Sequence, residues 1–521
     1  MPRVLRSLSY RYLTRGPYRV HQPAHSPRAP IRAGGTRRDE EGRFSRKFLE
    51  TTATTLATAV MLGLGGYSYH LHYKRLVLQK IDNAFSPGFS TVELASLAQS
   101  NLDTENATTA QDQPFHVPRP EQPVIDAIVN GGATGSYWLI FGEKGAGKMS
   151  MLLQAMRDVH GGGVAMLEAH GDTEVFRLRL GKALDYEYHE DYIGALFSIK
   201  GPRDSTALLD VERALNKLEK VAVRRRTADS KPLVLIINNI HHVQDSPEGN
   251  HLLALLQQRA ELWAASRLVT LVLTSDEYRT TELLRPNATR MQVMNVQDVP
   301  KDLAMQTLKK YRWDAFGQEV SSPTLDQIYS KVGGRLIFLD RIARAKDMLK
   351  ACDAICAGEK RWFLSKCWIL GKDMDDNAED QQDYASAAMI LAKTLVGMEK
   401  ENDSELPGIP LHKAQELMTR TDFMQKLDQM NIVAIDAHAM VRADSMPMQN
   451  AFRSVCGEDG FEEQLEGTLE RLDELESLGR TTELTVKDLV SSGGYEVIMQ
   501  EKAGIEGRVL SVRRAKGQAE E

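Results

Sequence analysis

Residues Gly142-Glu143-Lys144-Gly145-Ala146-Gly147-Lys148 directly follow a short apolar run, Tyr137-Trp138-Leu139-Ile140-Phe141. A helix-forming stretch, Met151-Leu152-Leu153-Gln154-Ala155-Met156, comes next. A strand that feeds a glycine-rich turn and then a helix is the setting of a phosphate-binding loop. Glycines let successive backbone N–H groups turn inward around a polyphosphate. The helix aims its positive end at the same anion, and Lys148 adds a full charge for the outer phosphates. The nucleotide-contacting set expected from the sequence is Gly142, Glu143, Lys144, Gly145, Ala146, Gly147, Lys148, Met149 and Ser150.

Met149 stands where this motif places the Ser or Thr whose hydroxyl holds Mg²⁺. Ser150 does not replace it, because one residue along a helix turns the side chain by about 100°. A second apolar strand, Pro232-Leu233-Val234-Leu235-Ile236-Ile237, ends in Asn238-Asn239, where an active site of this type carries a metal-holding acid. An amide keeps the shape of a carboxylate but neither neutralises Mg²⁺ nor takes a proton. Both metal-seating positions are altered together. The expected cofactor is therefore ATP without a secure Mg²⁺ site, no residue is assigned as a metal ligand, and hydrolysis is in doubt.

Strand-like and helix-like segments alternate from Tyr137 to about residue 295. Val164–Glu168, Leu233–Ile237 and Leu268–Thr274 read as further strands, with helices near 174–185, 190–198, 205–226 and 249–265. This alternation predicts an α/β fold whose parallel sheet is covered on both faces. The third apolar strand ends in Thr274-Ser275-Asp276, polar groups at a carboxyl end of the sheet, where ligands bind. Residues 298–350 read as wholly helical, with Val332-Gly333-Gly334-Arg335 at a helix–helix turn. Arg335 is expected to reach a γ-phosphate, and Arg279, Arg285 and Arg290 are candidates to act across a subunit interface. Helices over Asp383–Glu399, Pro410–Arg420 and Thr421–Met430, then a hairpin of Ile432–Ile435 and Met440–Arg442, predict a winged helix. A last helix is expected near Phe461–Leu478.

The chain of 521 residues has room for two or three domains. Its first 38 residues contain nine Arg, no Lys and no acid, the pattern of a mitochondrial transit peptide. The first 50 carry 12 basic and 4 acidic side chains, so the remainder is net −14 where the whole chain is −6. An acidic body is a poor general nucleic-acid binder. Thr51–Tyr73 contains no Asp, Glu, Lys or Arg and is long enough for one membrane span, although five Thr and two His dilute it. Four cysteines, Cys352, Cys356, Cys367 and Cys456, are too few for a disulfide framework and read as buried thiols. The expected division is a basic leader (1–50), one transmembrane helix (51–73), a linker (74–118), a P-loop domain (119–297), a helical lid (298–372), a winged-helix-like domain (373–480) and a tail (481–521).

The order of these parts resembles the AAA+ superfamily, and within it the origin-recognition and signal-transduction (STAND) branches, over roughly residues 119–450. By that likeness Lys148 holds the β- and γ-phosphates, Asn238 and Asn239 occupy the Walker B acid positions, Ser275 is the first sensor and Arg335 the second. A basic leader, a span and a P-loop domain with Val332-Gly333-Gly334-Arg335-Leu336-Ile337-Phe338-Leu339-Asp340 is also similar to the mitochondrial escape proteins of the inner membrane. The departures at 149, 238 and 239 bear on hydrolysis rather than on fold.

Two readings of function follow. One is a single-pass protein of the mitochondrial inner membrane that binds ATP as a switch or scaffold, engages an unidentified protein partner and hydrolyses little. The other is a working ATPase, assembled as a homo-oligomer, that remodels membrane or nucleoid complexes. It needs an acid such as Glu143, Asp245 or Asp276 at the metal. Direct nucleic-acid binding is disfavoured, because acids outnumber Lys and Arg by more than two to one across residues 373–480.

Overall fold

The computed structural model describes residues 38–88, 115, 117–188, 206–228, 231–373, 378–399, 406–491, 495–501 and 508–514. Two compact units divide the chain, Met1–Tyr69 and His70–Glu521. The parallel sheet, the lid and the winged helix all belong to the second. The expected helix at 190–198, most of the expected leader and most of the expected linker lie outside the described residues.

Five parallel strands form the sheet: β1 (Tyr137–Phe141), β2 (Val164–Glu168), β3 (Leu233–Asn238), β4 (Val269–Ser275) and β5 (Met291–Asn295). Their order is β2-β3-β4-β1-β5. Successive side chains of a strand face opposite sides, and here both sides are covered. Leu235, Ile237, Leu271 and Leu273 join one core with Phe176, Leu215 and Leu256 from the helices Thr173–Ala183, Ala207–Ala228 and Pro247–Ser266. Val234, Ile236 and Val272 join another with Ile125, Leu152 and Met156 from the helices Gln122–Val129 and Lys148–Asp158. Near-continuous apolar strands follow from this double burial. The sequence reading did not name β5. It is an edge strand whose residues are exposed or half-buried, so its pattern carries no strong apolar signal.

The register sets up the site. Phe141 pairs with Ser275, so Asp276 emerges beside Gly142 at the start of the phosphate loop. Glu168 pairs with Asn238 at the carboxyl ends of β2 and β3.

The lid consists of helices Lys301–Phe316, Ser322–Val332, Leu336–Arg344 and Met348–Cys367. Gly333 takes φ +66 at the turn before Arg335. Gly334 lies so close to β5's outgoing chain that a Cβ would fall 1.9 Å from the Val299 carbonyl oxygen. In the winged helix, Glu379–Gly397, Leu411–Met418 and Thr421–Gln429 precede a hairpin of β7 (Val433–Ile435) and β8 (Met440–Ala443). A two-residue strand, β6 (Ile409–Pro410), pairs with β8 on its other side. A further helix, Met446–Cys456, packs Phe452 edge-on to Phe363 of the last lid helix. The final long helix is Phe461–Ser491, longer than the sequence implied, and β9 (Tyr495–Glu501) and β10 (Arg508–Arg514) pair as an antiparallel hairpin after it.

The expected span falls inside one continuous helix, Arg38–Ala84. Among the described residues, no helix is long and apolar enough to cross a membrane. The physical reason is the dilution by threonine, glycine and histidine. Thr54, Thr55 and Thr58 turn their hydroxyls onto carbonyls one turn back, which hides the polar group without making the helix apolar. The end of this helix is globular: Val77, Leu78, Ile81 and Ala84, with Phe85 after it, are buried in the sheet's first core. Arg225 also clasps Asp82 at 2.5 Å.

Candidate functional site

At the carboxyl end of β1 the chain turns through Gly142, Gly145 (φ +81) and Gly147 (φ +106) and enters the helix at Lys148. Conformations of this kind are open to glycine and strained for other residues. Close packing adds a second constraint. A Cβ on Gly145 would lie 2.6 Å from Ile337 Cγ2, and one on Gly147 2.7 Å from Leu336 Cδ1. The first turn of the lid helix Leu336–Arg344 therefore sits directly on the loop, and Ile337 N donates to Gly145 O at 3.2 Å.

Lys148 is buried. Its Nζ donates to the carbonyls of Gly142 (2.7 Å) and Glu143 (3.0 Å) and meets Asp276 Oδ1 at 2.7 Å as an ion pair, off the direction of a good hydrogen bond. Asp276 N donates in turn to His241 Nδ1 at 3.2 Å. His241 lies in the short turn Ile240–His242 after β3. Burial lowers its pKa to about 4 although Asp276 pulls it up, so it is neutral near pH 7.

The two asparagines expected at Walker B positions bond across the sheet to Thr274. Asn238 Oδ1 accepts from Thr274 Oγ1 at 2.6 Å, and Asn239 N donates to the same hydroxyl at 2.8 Å. Asn239, at φ +54, also directs its amide to Glu168 Oε1 at 3.3 Å. Both asparagines line the cleft but present no carboxylate to it. Among the described residues, no group of three or more His, Cys, Asp or Glu side chains is placed to hold a metal ion.

Several sequence expectations change here. Ser275, expected as the first sensor, is fully buried, and its hydroxyl engages Glu277 and Thr280 rather than the cleft. The residues that line the cleft from this strand end are Asp276 and Glu277. Arg335, expected at a γ-phosphate, is 2% exposed and anchored elsewhere. Its Nε donates to Asp298 at 2.6 Å, and its Nη1 donates to Lys144 O at 2.9 Å and to Asp444 at 3.2 Å. Nη2 reaches the Asp444 carbonyl. Burial alone would lower its pKa, but Asp444, Asp298 and Glu143 more than offset that and leave it raised. Arg335 thus ties the phosphate loop to the winged helix through Lys144 O and Asp444, with Asp298 as a third anchor. Glu143, considered as a metal acid, is ion-paired with Arg442 of β8. Asp245, the other acid considered, pairs with Arg279 at 3.0 Å, and Arg279 also bonds the Val243 carbonyl. Arg279 is therefore engaged within its own domain.

The loop opens onto a cavity of about 1160 Å³, lined by Met149, Ser150, Asn238, Asn239, His241 and Asp276 on the sheet side. Leu336, Ile337, Asp340 and Arg344 line it from the lid, and Phe115, Val117 and Arg119 from the chain before the sheet. Asp428, Gln429 and Asn431 close it from the winged helix. Asp428 accepts from Tyr278 N at 3.0 Å, and burial raises its pKa well above the ordinary value. Arg119, His241 and the winged-helix wall were not found from the sequence; they are brought in by chain segments far apart, with no local motif to mark them. The glycine turn, the buried lysine and a cavity of this size fit a nucleotide. The residues at 149, 238 and 239 do not fit a directly held Mg²⁺.

Residues 365–476 match the family described as fungal AAA protein, C-terminal winged helix domain. Among solved structures, the chain is similar to a Walker-type ATPase of Pyrococcus abyssi (14% identity, TM-score 0.42, covering 68% of this chain and 99% of that one). It is similar also to the Orc1 protein of Aeropyrum pernix in complex with DNA (13%, TM-score 0.36, covering 70% and 98%). A third is the replication initiator DnaA bound to AMPPCP and single-stranded DNA (11%, TM-score 0.31, covering 71% and 99%). No curated protein matches the chain. A fold hosts many activities, so the site and not such likeness decides function. The winged-helix region is thus similar to a domain of AAA proteins, and the part before it carries the loop, parallel sheet and helical lid that the AAA+ resemblance implies.

Proposed function

We propose that this chain is an AAA+-type nucleotide-binding protein that works as a switch or scaffold and hydrolyses ATP slowly or not at all. One observation carries the reading: a glycine turn and a buried lysine are kept, while Met149, Asn238 and Asn239 offer neither hydroxyl nor carboxylate to a metal. Nucleotide would be held by the loop N–H groups, the helix start and Lys148, and bounded by the lid and the winged helix. The excess of acids in residues 373–480 favours a protein partner over nucleic acid. The leader and the helix after it support attachment to the mitochondrial inner membrane. The alternative, a working ATPase that remodels membrane or nucleoid complexes, draws support from Asp276, an acid in direct contact with Lys148.

Calorimetry on the purified full chain is expected to give micromolar or tighter ATP binding that Lys148→Ala weakens by about a hundredfold. Phosphate release should stay at background with Mg²⁺ present. Brisk Mg²⁺-dependent turnover that Lys148→Ala abolishes would reject the switch reading in favour of the ATPase.

A further inference from the structure

We infer that the cleft selects nucleoside diphosphate over nucleoside triphosphate, because Asp276 holds the face of Lys148 that an outer phosphate would take. The inference rests on the nucleotide-binding reading above and narrows it to one ligand class.

An ammonium has three donors. On Lys148, two are fixed by the Gly142 and Glu143 carbonyls within the loop itself. The remaining contact is Asp276 Oδ1 at 2.7 Å, so the charge that a polyphosphate would use already faces a carboxylate. Asp276 is not a loose tail that swings aside freely. It follows directly on the β4 residue paired with Phe141, its N–H is bonded to His241, and its side chain is 17% exposed.

A triphosphate brings one more negative charge than a diphosphate to this end of the cleft. The cationic groups that could compensate it are absent, engaged or screened: of the arginines on the cleft wall, Arg344 pairs with Asp340 and Arg119 with Glu121. Met149 and the two asparagines seat no Mg²⁺. Arg335 has its guanidinium closed by Asp298, Asp444 and Lys144 O. Lys144 lines the cleft but is exposed, so water screens it. His241 is neutral near pH 7 and adds no charge. Inner phosphates rely on other groups, namely the loop N–H donors and the start of the eleven-residue helix Lys148–Asp158. These remain for a diphosphate.

The test is calorimetric titration of the full chain with ADP and with ATP, in EDTA and in MgCl₂, for the wild type and for Asp276→Asn. Thermal melts of both proteins without ligand check that the variant folds. In EDTA the wild type is expected to bind ADP about tenfold or more tighter than ATP. Asp276→Asn should narrow that ratio to about threefold or less, chiefly by tightening ATP. The wild-type comparison needs no variant, so a misfolded Asp276→Asn leaves a decisive arm. ATP binding as tightly as ADP or tighter in EDTA overturns the inference and leaves nucleotide binding standing. So does a folded Asp276→Asn with an unchanged ratio. Failure of both nucleotides to bind overturns the nucleotide-binding reading itself, and the inference with it.

Discussion

His241 shows how one residue couples the site to stability. Burial holds its folded pKa near 4, with Asp276 pulling up and His242, Lys148 and Lys144 pushing down. Between pH 4 and the ordinary value near 6.5, the unfolded chain takes up a proton that the folded chain refuses. The unfolded state then binds more protons, so folding stability falls as pH drops through this window, and the effect vanishes above it. His241→Asn should remove that component. From pH 7 to pH 5.5 the variant is expected to lose about 1 kcal/mol less than the wild type, read from urea midpoints. Identical losses would mean that the imidazole is not held neutral. The cysteines make a similar point without a site. Burial pushes the thiols of Cys352 and Cys367 up to about 12, which fits their role as small core groups. Met149, Asn238 and Asn239 were legible as departures in the sequence because the motif fixes what should stand there. Asp276 was legible only as one acid among several, because its contact with Lys148 depends on how β4 registers with β1.

At the scale of elements, the lid and the winged helix are fastened to the phosphate loop by a buried charge cluster. Arg335 joins Asp298, Asp444 and Lys144 O, and Glu143 of the loop reaches Arg442 of β8. Burial raises the Asp444 carboxyl to about 6, even with Arg335 holding it down. Such clusters are costly to break from one side, because the partner left behind is buried and unpaired. Arg335→Met should therefore destabilise the chain by roughly 3–5 kcal/mol in chemical denaturation. A loss under about 1 kcal/mol would show that the cluster is not closed as described. The sequence marked this arginine correctly as unusual, after Gly333-Gly334 and before an apolar helix turn. It placed the side chain at a phosphate, because the two carboxylates that claim it lie 37 residues before it and 109 after it in the chain. Strands β1 to β4 were readable from their apolar runs. The helix Met446–Cys456 was not named, since the hairpin before it gave a complete winged-helix pattern without it.

Over the whole molecule, the acidic body, the basic leader and the diluted apolar helix make attachment to membrane a matter for direct measurement. Leu56, Val60, Met61, Leu62 and Leu64 are exposed on that helix, while its last turns are buried in the sheet's core. If the proposed attachment is an integral one, the full chain stays in the pellet when mitochondrial membranes are extracted with carbonate. Release into the supernatant would reject an integral anchor. The sequence alone determined the glycine-rich loop, the α/β layering, the Gly-Gly-Arg turn and the Met149, Asn238 and Asn239 that stand where the motif expects metal-seating groups. These rest on local spacing, on side-chain chemistry at fixed offsets and on strand patterns that a parallel sheet imposes. Only the tertiary structure decided which charges face one another: Asp276 on Lys148, Arg335 on Asp444 and Asp298, Glu143 on Arg442. Those pairings depend on strand register and on the packing of the lid and the winged helix over the loop. Neither leaves a trace in the spacing of residues along the chain.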